Sequence, residues 1–342
     1  MMSKFTLEQV AELAGVSRST VSRVVNEQPG VRADVRRRVR EVIEETGYRP
    51  NIAARALASN RSGIIGLVVP HGASRLFTDP YFPRLIHGIT LACNEHDISL
   101  TLFLFHDEDE ESQLTRRIAN ASLFDGMIMA SSQVNDPLVS HFIANEVPLV
   151  MIGRPDRYPE LSFVDVDNFN GAYAATAHLL RLGYLRVGHI SGPQTMVAGQ
   201  DRLEGYRKAL SERGRSFDKN LVIEGDFSEA GGYVAMQRLL AARPDAVFVG
   251  SDQMALGAWR ALREAGLQVP HDVALVGYDD LLPSSSMRLR LTTIRQPVAR
   301  IGREAVNVLL DVIENGPAPA RRVIFDTELV IRESCGATFA SR

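Results

Sequence analysis

A small all-α helix-turn-helix head with a hinge helix, followed by an α/β core of two parallel-sheet subdomains, is the fold class this 342-residue sequence predicts. Three observations predict it. Apolar residues recur at helical spacing through the first 46 positions, broken by a tight Gly15-Val16 turn. From Gly63 onward, short apolar runs alternate with amphipathic stretches, the pattern of strand–helix units in covered parallel sheets. Charge divides at the same place. Residues 1–61 hold eleven basic and seven acidic side chains, net +4, so the remaining 281 residues carry −7 of the chain's −3. A basic head on an acidic body implies that only the head meets a polyanion. The length exceeds what one core usually supports.

The head is read first. Thr6-Leu7-Glu8-Gln9 has the form of a capping box, in which the Thr6 hydroxyl and the Gln9 side chain satisfy free backbone amides. Leu7, Val10, Ala11 and Ala14 then predict helix one, which Gly15 ends, and Ser17 is placed to cap helix two. Along residues 17–26, Val21, Val24 and Val25 share one face while Arg18, Ser19, Ser22, Arg23 and Asn26 line the other. Guanidinium, hydroxyl and amide groups suit phosphates and base edges. Val35, Val39, Val42 and Ile43 form the apolar stripe of helix three, with Arg36, Arg37, Arg38 and Arg40 mostly outside it. Three short helices with a glycine in the first turn match a helix-turn-helix unit, whose second helix enters a major groove. A plain three-helix bundle fits the same pattern.

The hinge comes next. Gly47-Tyr48-Arg49-Pro50 breaks the third helix, and Asn51 caps an alanine-rich stretch over 51–58. Eight residues fall short of the roughly 12–15 an isolated helix needs. The segment therefore reads as a linker that becomes helical against a partner, with Leu57 available as a wedge between base pairs.

Composition excludes several classes. The chain is 45% hydrophobic and 23% charged, as in soluble globular proteins, and no apolar run approaches the roughly 20 residues of a membrane span. The N-terminus lacks the apolar segment of a secretory signal. Cys93 and Cys335 are far apart and outside any CxxC or Cys/His cluster, as expected of inert thiols in a reducing cytoplasm. No metal or cofactor is expected. Nor is an enzyme: GxSxG, HExxH and phosphate-loop motifs are absent and the eight histidines are scattered.

In the body, strands are predicted at 64–69, 100–105, 126–130, 149–152, 187–190, 246–249 and 273–276. Helices are predicted near 83–95, 109–121, 171–182, 202–213, 230–242 and 254–265. Ligands of open parallel sheets bind beyond the carboxyl ends of strands. Asp79, Tyr81 and Phe82 follow the first strand and Arg154 the fourth; Arg202 opens a later helix. Ser251 follows 246–249, Asp279 follows 273–276, and Gln296 follows an apolar stretch at 291–294. Arginines, carboxylates and amides of this kind bond ring hydroxyls in pairs while aromatic faces stack on C–H surfaces. Arg202 and Asp279 are the strongest candidates, because a cleft Arg or Asp lacks an obvious packing role. Plainer readings stand beside the others: Asp252 as a helix cap, Asp280 as a cap or in a local pair, Tyr81 or Phe82 as core.

Residues 6–11, 21–26 and 48–51 and the alanine-rich stretch ending Leu57-Ala58 resemble the lactose-repressor (LacI/GalR) family of bacterial transcription regulators, and the similarity runs almost the full chain. The resemblance implies a homodimer whose paired heads read a pseudo-palindromic double-stranded operator. It implies base reading by Arg18, Ser19 and Arg23 and intercalation by Leu57. Support or backbone contact is implied for Leu7, Ser17, Thr20, Ser22, Asn26 and Tyr48, and DNA contact for Asn51 and Ala54 in the hinge. Arg32 departs from the family's usual Ser or Thr cap of helix three. The body is similar to a periplasmic sugar-binding fold, in which Asp79-Pro80-Tyr81-Phe82, Ile152-Gly153-Arg154, Arg202-Leu203-Glu204-Gly205-Tyr206 and Gly277-Tyr278-Asp279-Asp280 match family motifs. Phe227 matches an aromatic base under the sugar, and Gln296 a polar residue of the last crossover. Gly153 stands for a carboxylate and Ser251 for an Asn, which leaves room for a disaccharide. The implied division is a head at 1–50, a hinge at 51–62 and a core at 63–342. Its subdomains are about 63–162 with 296–323, and about 163–295 with 324–338. Control by a small, sugar-like effector is the implied function. A protein co-regulator or non-sugar metabolite is the alternative, and a sugar-transport component is opposed by the basic head. No leucine heptad follows 332–334, so dimers rather than tetramers are expected.

Overall fold

The computed structural model describes residues 5–25, 27–48, 61–69, 73–105, 123–130, 133–282 and 290–337. Asn26, Asn51, Ala54, Leu57 and the helix expected at 109–121 lie outside them. The chain divides into two compact units, Met1–Gly63 and Ile64–Arg342.

In the first unit, α1 (Leu7–Leu13), α2 (Arg18–Val25) and α3 (Ala33–Thr46) bury Val10, Ala11, Ala14, Val21, Val24 and Val39 against one another. The capping box forms: Thr6 Oγ1 accepts from Gln9 N at 3.3 Å while Gln9 Oε1 accepts from Thr6 N at 2.9 Å. Arg32 precedes α3 without any side-chain cap bond, and Gly47, at φ 60°, ends that helix in the left-handed conformation.

The second unit is built on two six-stranded sheets. The first contains β1 (Ile64–Val69), β2 (Ser99–Leu104), β3 (Gly126–Met129), β4 (Leu149–Ile152), β5 (Ser162–Val166) and β11 (Arg322–Phe325). Its order is β11-β5-β4-β3-β1-β2, every neighbouring pair parallel. The second contains β6 (Val187–Ser191), β7 (Val222–Glu224), β8 (Ala246–Val249), β9 (Ala274–Asp279), β10 (Thr292–Arg295) and β12 (Glu328–Val330). Its order is β12-β10-β9-β8-β6-β7, with only β12 antiparallel to its neighbour. The described helices are α4 (Ala73–Thr78), α5 (Tyr81–Glu95), α6 (Pro137–Ala144), α7 (Asn168–Arg181), α8 (Val197–Glu212), α9 (Glu229–Leu239), α10 (Asp252–Glu264) and α11 (Val298–Asn315).

Period-two alternation along the strands gives each sheet two apolar faces. Val150, Ile152 and Val164 meet α5 and α11, whereas Met127, Met129, Met151 and Phe163 meet Phe142 of α6. In the second sheet Val247, Val249 and Leu275 meet α9 and α10, and Phe248, Val276 and Tyr278 meet α7 and α8. The chain crosses between sheets three times: after β5, after β10 and after β11. Two crossings fall a few residues later than the expected 162 and 323, because β5 and β11 both belong to the first sheet. Polar Ser162 and Asp165 interrupt the apolar run of β5, which hides it from a search for continuous hydrophobicity.

Where α5 crosses α11 the backbones touch through glycine. A Cβ on Gly88 would lie 2.0 Å from the Ala299 carbonyl oxygen, and one on Gly302 would lie 2.4 Å from that of Leu85. Neither obstacle is a side chain that can rotate away. Gly88→Ala is therefore expected to lower the unfolding free energy by about 1–3 kcal/mol, through overpacking. An unchanged urea midpoint would contradict this contact.

Candidate DNA interface and ligand cleft

On the head, the polar side of α2 is presented as its periodicity requires. Val21 and Val24 are buried while Arg18, Ser19 and Arg23 are exposed and Ser22 is half-buried. Ser17 Oγ accepts from Thr20 N at 3.2 Å, the geometry of a helix cap, and lies 2.8 Å from both Ser19 Oγ and Thr20 Oγ1. Arg18 Nε pairs with Glu8 Oε1 at 3.0 Å, but both side chains are well exposed, so the pair is worth at most about 1 kcal/mol and can open for a phosphate or base. Leu7 and Tyr48 pack beside the head's core as supports. Burial first, and the Glu8 carboxylate second, push the Tyr48 phenol up, which keeps it a neutral donor. The α3 arginines do a job the sequence did not reveal: Arg36 Nη2 donates to the Gln28 carbonyl at 2.7 Å and Arg40 pairs with Glu27 at 3.4 Å, bracing the loop after α2. Among the described residues Arg23 has no ion-pair partner.

At the carboxyl ends of the second sheet, Arg202 of α8 is the centre of a polar cluster. It is 6% exposed. Its Nε donates to Asn168 Oδ1 at 2.9 Å, its Nη1 donates to the Gly250 carbonyl at 2.5 Å, and Nη1 stands 4.0 Å from Asp279 Oδ1. The guanidinium lies over the Tyr278 ring at 3.7 Å and near Phe227 at 5.6 Å. Gln296 Nε2 donates to Asp279 Oδ1 at 2.6 Å. Burial pushes the Asp279 carboxyl well up, with Arg202 opposing the rise. Asp279 sits at φ 122°, a region few non-glycine residues occupy, so strain is held where the candidate site lies. Phe227 also has positive φ, at 67°, and its ring lies against Gly192, where a Cβ would fall 2.1 Å from ring Cζ.

The other candidates sort by placement. Ser251, 4% exposed, caps α10 by accepting from Met254 N at 3.2 Å, which leaves its O–H proton to donate. That corrects the reading of Asp252 as the cap. Asp252 instead lies inside the first turn, accepting from Thr293 Oγ1 at 2.6 Å and from Leu281 N at 3.0 Å, with burial pushing its carboxyl up. Asp280 is paired locally by Arg295 at 2.8 Å and Arg332 at 2.6 Å; against the pull of burial, these bonds hold its carboxyl low. Phe82 packs in the core of the first sheet with Leu85 and Ile89, edge-on to Tyr81 at 5.5 Å. Asp79 Oδ1 accepts from Tyr81 N at 2.9 Å.

Arg154 reaches from the end of β4 to α8, where its Nη2 donates to both carboxylate oxygens of Asp201 at 2.7 and 2.9 Å. Val134 N donates to the Thr195 carbonyl at 2.8 Å, and Gln253 Nε2 to that of Thr78 at 3.4 Å. Elements of both sheets are thus joined across the strand ends. Asn168, Asp165 and Asp201 were missed by sequence reasoning. Asn168 follows Asp167 just beyond β5, whose polar Ser162 and Asp165 hid the strand end that would have pointed to it.

Behind Arg202, His189 is fully buried between Phe248 at 4.7 Å and Tyr206 at 5.0 Å, and its Nδ1 donates to the Phe248 carbonyl at 2.9 Å. Burial pushes it down to about 4, against about 6.5 for a solvated imidazole. The unfolded chain therefore binds the proton first. This contribution to stability is complete above pH 6.5 and is lost as pH falls from 6.5 through 4, on the order of 3 kcal/mol in all. His189→Asn retains a donor for Phe248 without titrating. The stability difference between wild type and this variant is expected to shrink on acidification across that window; a constant difference in urea midpoints would refute the assignment.

Three comparisons with known proteins bear on these two sites. The family described as bacterial regulatory proteins, lacI family, matches residues 6–51, and the periplasmic binding protein-like domain matches residues 176–335. The HTH-type transcriptional regulator CelR of Thermobifida fusca is 40% identical over 333 residues, covering 96% of this chain and 98% of its own length. A solved CelR–cellobiose complex aligns with a TM-score of 0.77 at 38% identity, covering 97% of this chain and 100% of that one. The lac repressor dimer bound to operator and the anti-inducer ONPF aligns with a TM-score of 0.84 at 29% identity, covering 97% of this chain and 99% of that one.

Proposed function

The chain belongs to the LacI family of bacterial regulatory proteins, and from that premise we propose that it is a repressor that binds a pseudo-palindromic operator as a homodimer under carbohydrate control. The carrying observation is the Arg202–Asp279–Gln296 cluster beside Phe227, at the carboxyl ends of strands in a chain whose head exposes Arg18, Ser19 and Arg23. Guanidinium, carboxylate and amide offer both donors and acceptors. That is what vicinal hydroxyls require, and an aromatic ring completes the set for an apolar sugar face.

The effector is a carbohydrate of disaccharide size. Gly153 places no side chain at the end of β4 and Ser251 only a short one at the head of α10, which leaves room beyond a single ring. The CelR relative was solved with cellobiose. Among the described residues no helix is long and apolar enough to cross a membrane, and the site of action is the cytoplasm, where DNA and sugar meet. Binding in the cleft shifts the population of lobe arrangements, which requires unequal affinity for the two states and couples sugar to operator reciprocally.

Operator gel shifts test this directly, using a two-fold symmetric duplex selected from a random library. Repeating them with glucose, ribose, cellobiose, maltose and a free nucleobase identifies the effector class. One of the disaccharides is expected to move the DNA midpoint tenfold or more. Binding of monosaccharides alone would refute the disaccharide assignment. No symmetric duplex bound above the non-specific level would refute the repressor reading.

A further inference from the structure

The Asp165 carboxylate has no role in the cleft as described so far. Val164 and Val166 flank it in β5 and are buried in the core of the first sheet; Asp165 projects to the other face and remains partly exposed. Gly153 N donates to the Val164 carbonyl at 2.9 Å, the last rung between β4 and β5. The next donor, Arg154 N, turns instead to Asp165 Oδ2 at 2.8 Å. Val166 N and Asn168 Nδ2 both reach Oδ1, at 2.8 and 3.1 Å. Among the described residues Oδ2 thus accepts one bond, where a carboxylate oxygen has two lone pairs. Continuing the β4–β5 register from Ile152 opposite Val164 sets Gly153 opposite Asp165, so no neighbouring side chain covers the carboxylate from β4.

Two links place it with the cleft cluster. Asn168 donates to Asp165 and accepts from Arg202 at 2.9 Å, so a chain of hydrogen bonds runs from β5 to Arg202. After burial itself, Asp165 and Asp279 add most to the upward shift of the Tyr81 phenol, with Asp79 adding less. All three carboxylates therefore act electrostatically on one phenol, although among the described residues no His, Cys, Asp and Glu side chains group closely enough to hold a metal ion.

Resting on the reading of the cleft as a carbohydrate site, we infer that Asp165 is a further specificity residue, whose Oδ2 accepts a hydrogen bond from a hydroxyl of the bound sugar. A charged acceptor selects a hydroxyl at that position far more strongly than a hydrogen there. The plainer role, tying down the strand ends through Arg154 N and Val166 N, involves no contact with the sugar.

Calorimetry with the tightest-bound sugar of the panel above and its monodeoxy derivatives separates the two. Asp165→Asn is expected to weaken binding about 10- to 100-fold. Against the one deoxy derivative that lacks the partner hydroxyl, wild type and variant bind alike. A deficit equal across all derivatives, or none with the parent sugar, overturns the inference while the carbohydrate reading stands. Wild type binding no sugar overturns both. Operator binding without sugar checks that the variant is folded. Should it fail, Asp165→Ser, which keeps a short acceptor for Arg154 N, carries the same comparison.

Discussion

Arg202→Met is expected to abolish the proposed carbohydrate response and to lower the stability of the second unit by about 3–5 kcal/mol, the range for removing one partner of a buried pair. The reason lies in what the guanidinium leaves behind. Asn168 Oδ1 and the Gly250 carbonyl lose their donor, and the buried Asp279 loses the charge opposing its upward shift. The methionine fills similar space without supplying a donor. Asp279→Asn, added to Arg202→Met, removes the orphaned carboxyl and is expected to restore part of the stability but none of the sugar binding. That dissociation is the useful signature. Urea unfolding and calorimetry measure the two halves, and a single variant that still answers to sugar would remove Arg202 from the site.

The second large effect is on the head. Arg23→Ala should weaken operator binding by about 1–3 kcal/mol, or roughly 5- to 150-fold, and relax preference at the base it reads. Non-specific binding should fall much less. Folding should not change, since Arg23 is exposed while Val24 beside it is buried. Arg38→Ala, exposed on α3, serves as the contrast: loss of a general positive charge lowers operator and scrambled-duplex binding alike. Fluorescence anisotropy on both duplexes at several salt concentrations distinguishes the cases. Equal losses for Arg23→Ala on the two duplexes would refute base reading.

Much of the head was legible because its determinants are local. Thr6 and Gln9 are three residues apart and cap one helix; Ser17 caps the next; Arg32 predicts a missing cap bond, and none forms. The body was legible only in part. Continuous apolar strands such as β4 and β8 declared themselves, whereas β5, β7, β11 and β12, being short or polar, did not. No helix was expected at α6, nor at α11, although α11 buries Ile301, Ala305, Val308 and Val312 at helical spacing. The site was legible at strand ends and obscure elsewhere. Arg202, Asp279 and Gln296 come together as expected. Asn168 and Asp165 join them through a crossing between sheets, and no local pattern tells a chain which sheet it will enter next. Asp252 was misassigned as the cap for a smaller reason: it and Ser251 are adjacent and both able to cap, with the choice made by the extended backbone at Ser251.

The three crossings also set a timetable for synthesis. By the time β5 emerges, five strands of the first sheet exist, yet the face formed by Val150, Ile152 and Val164 still lacks α11. The whole second sheet apart from β12 must be translated first, a delay of about 130 residues. At 5–20 residues per second, that leaves a nascent hydrophobic surface uncovered for on the order of ten seconds. A ribosome-bound chain stalled between β5 and α11 would be the form of this protein most in need of a chaperone.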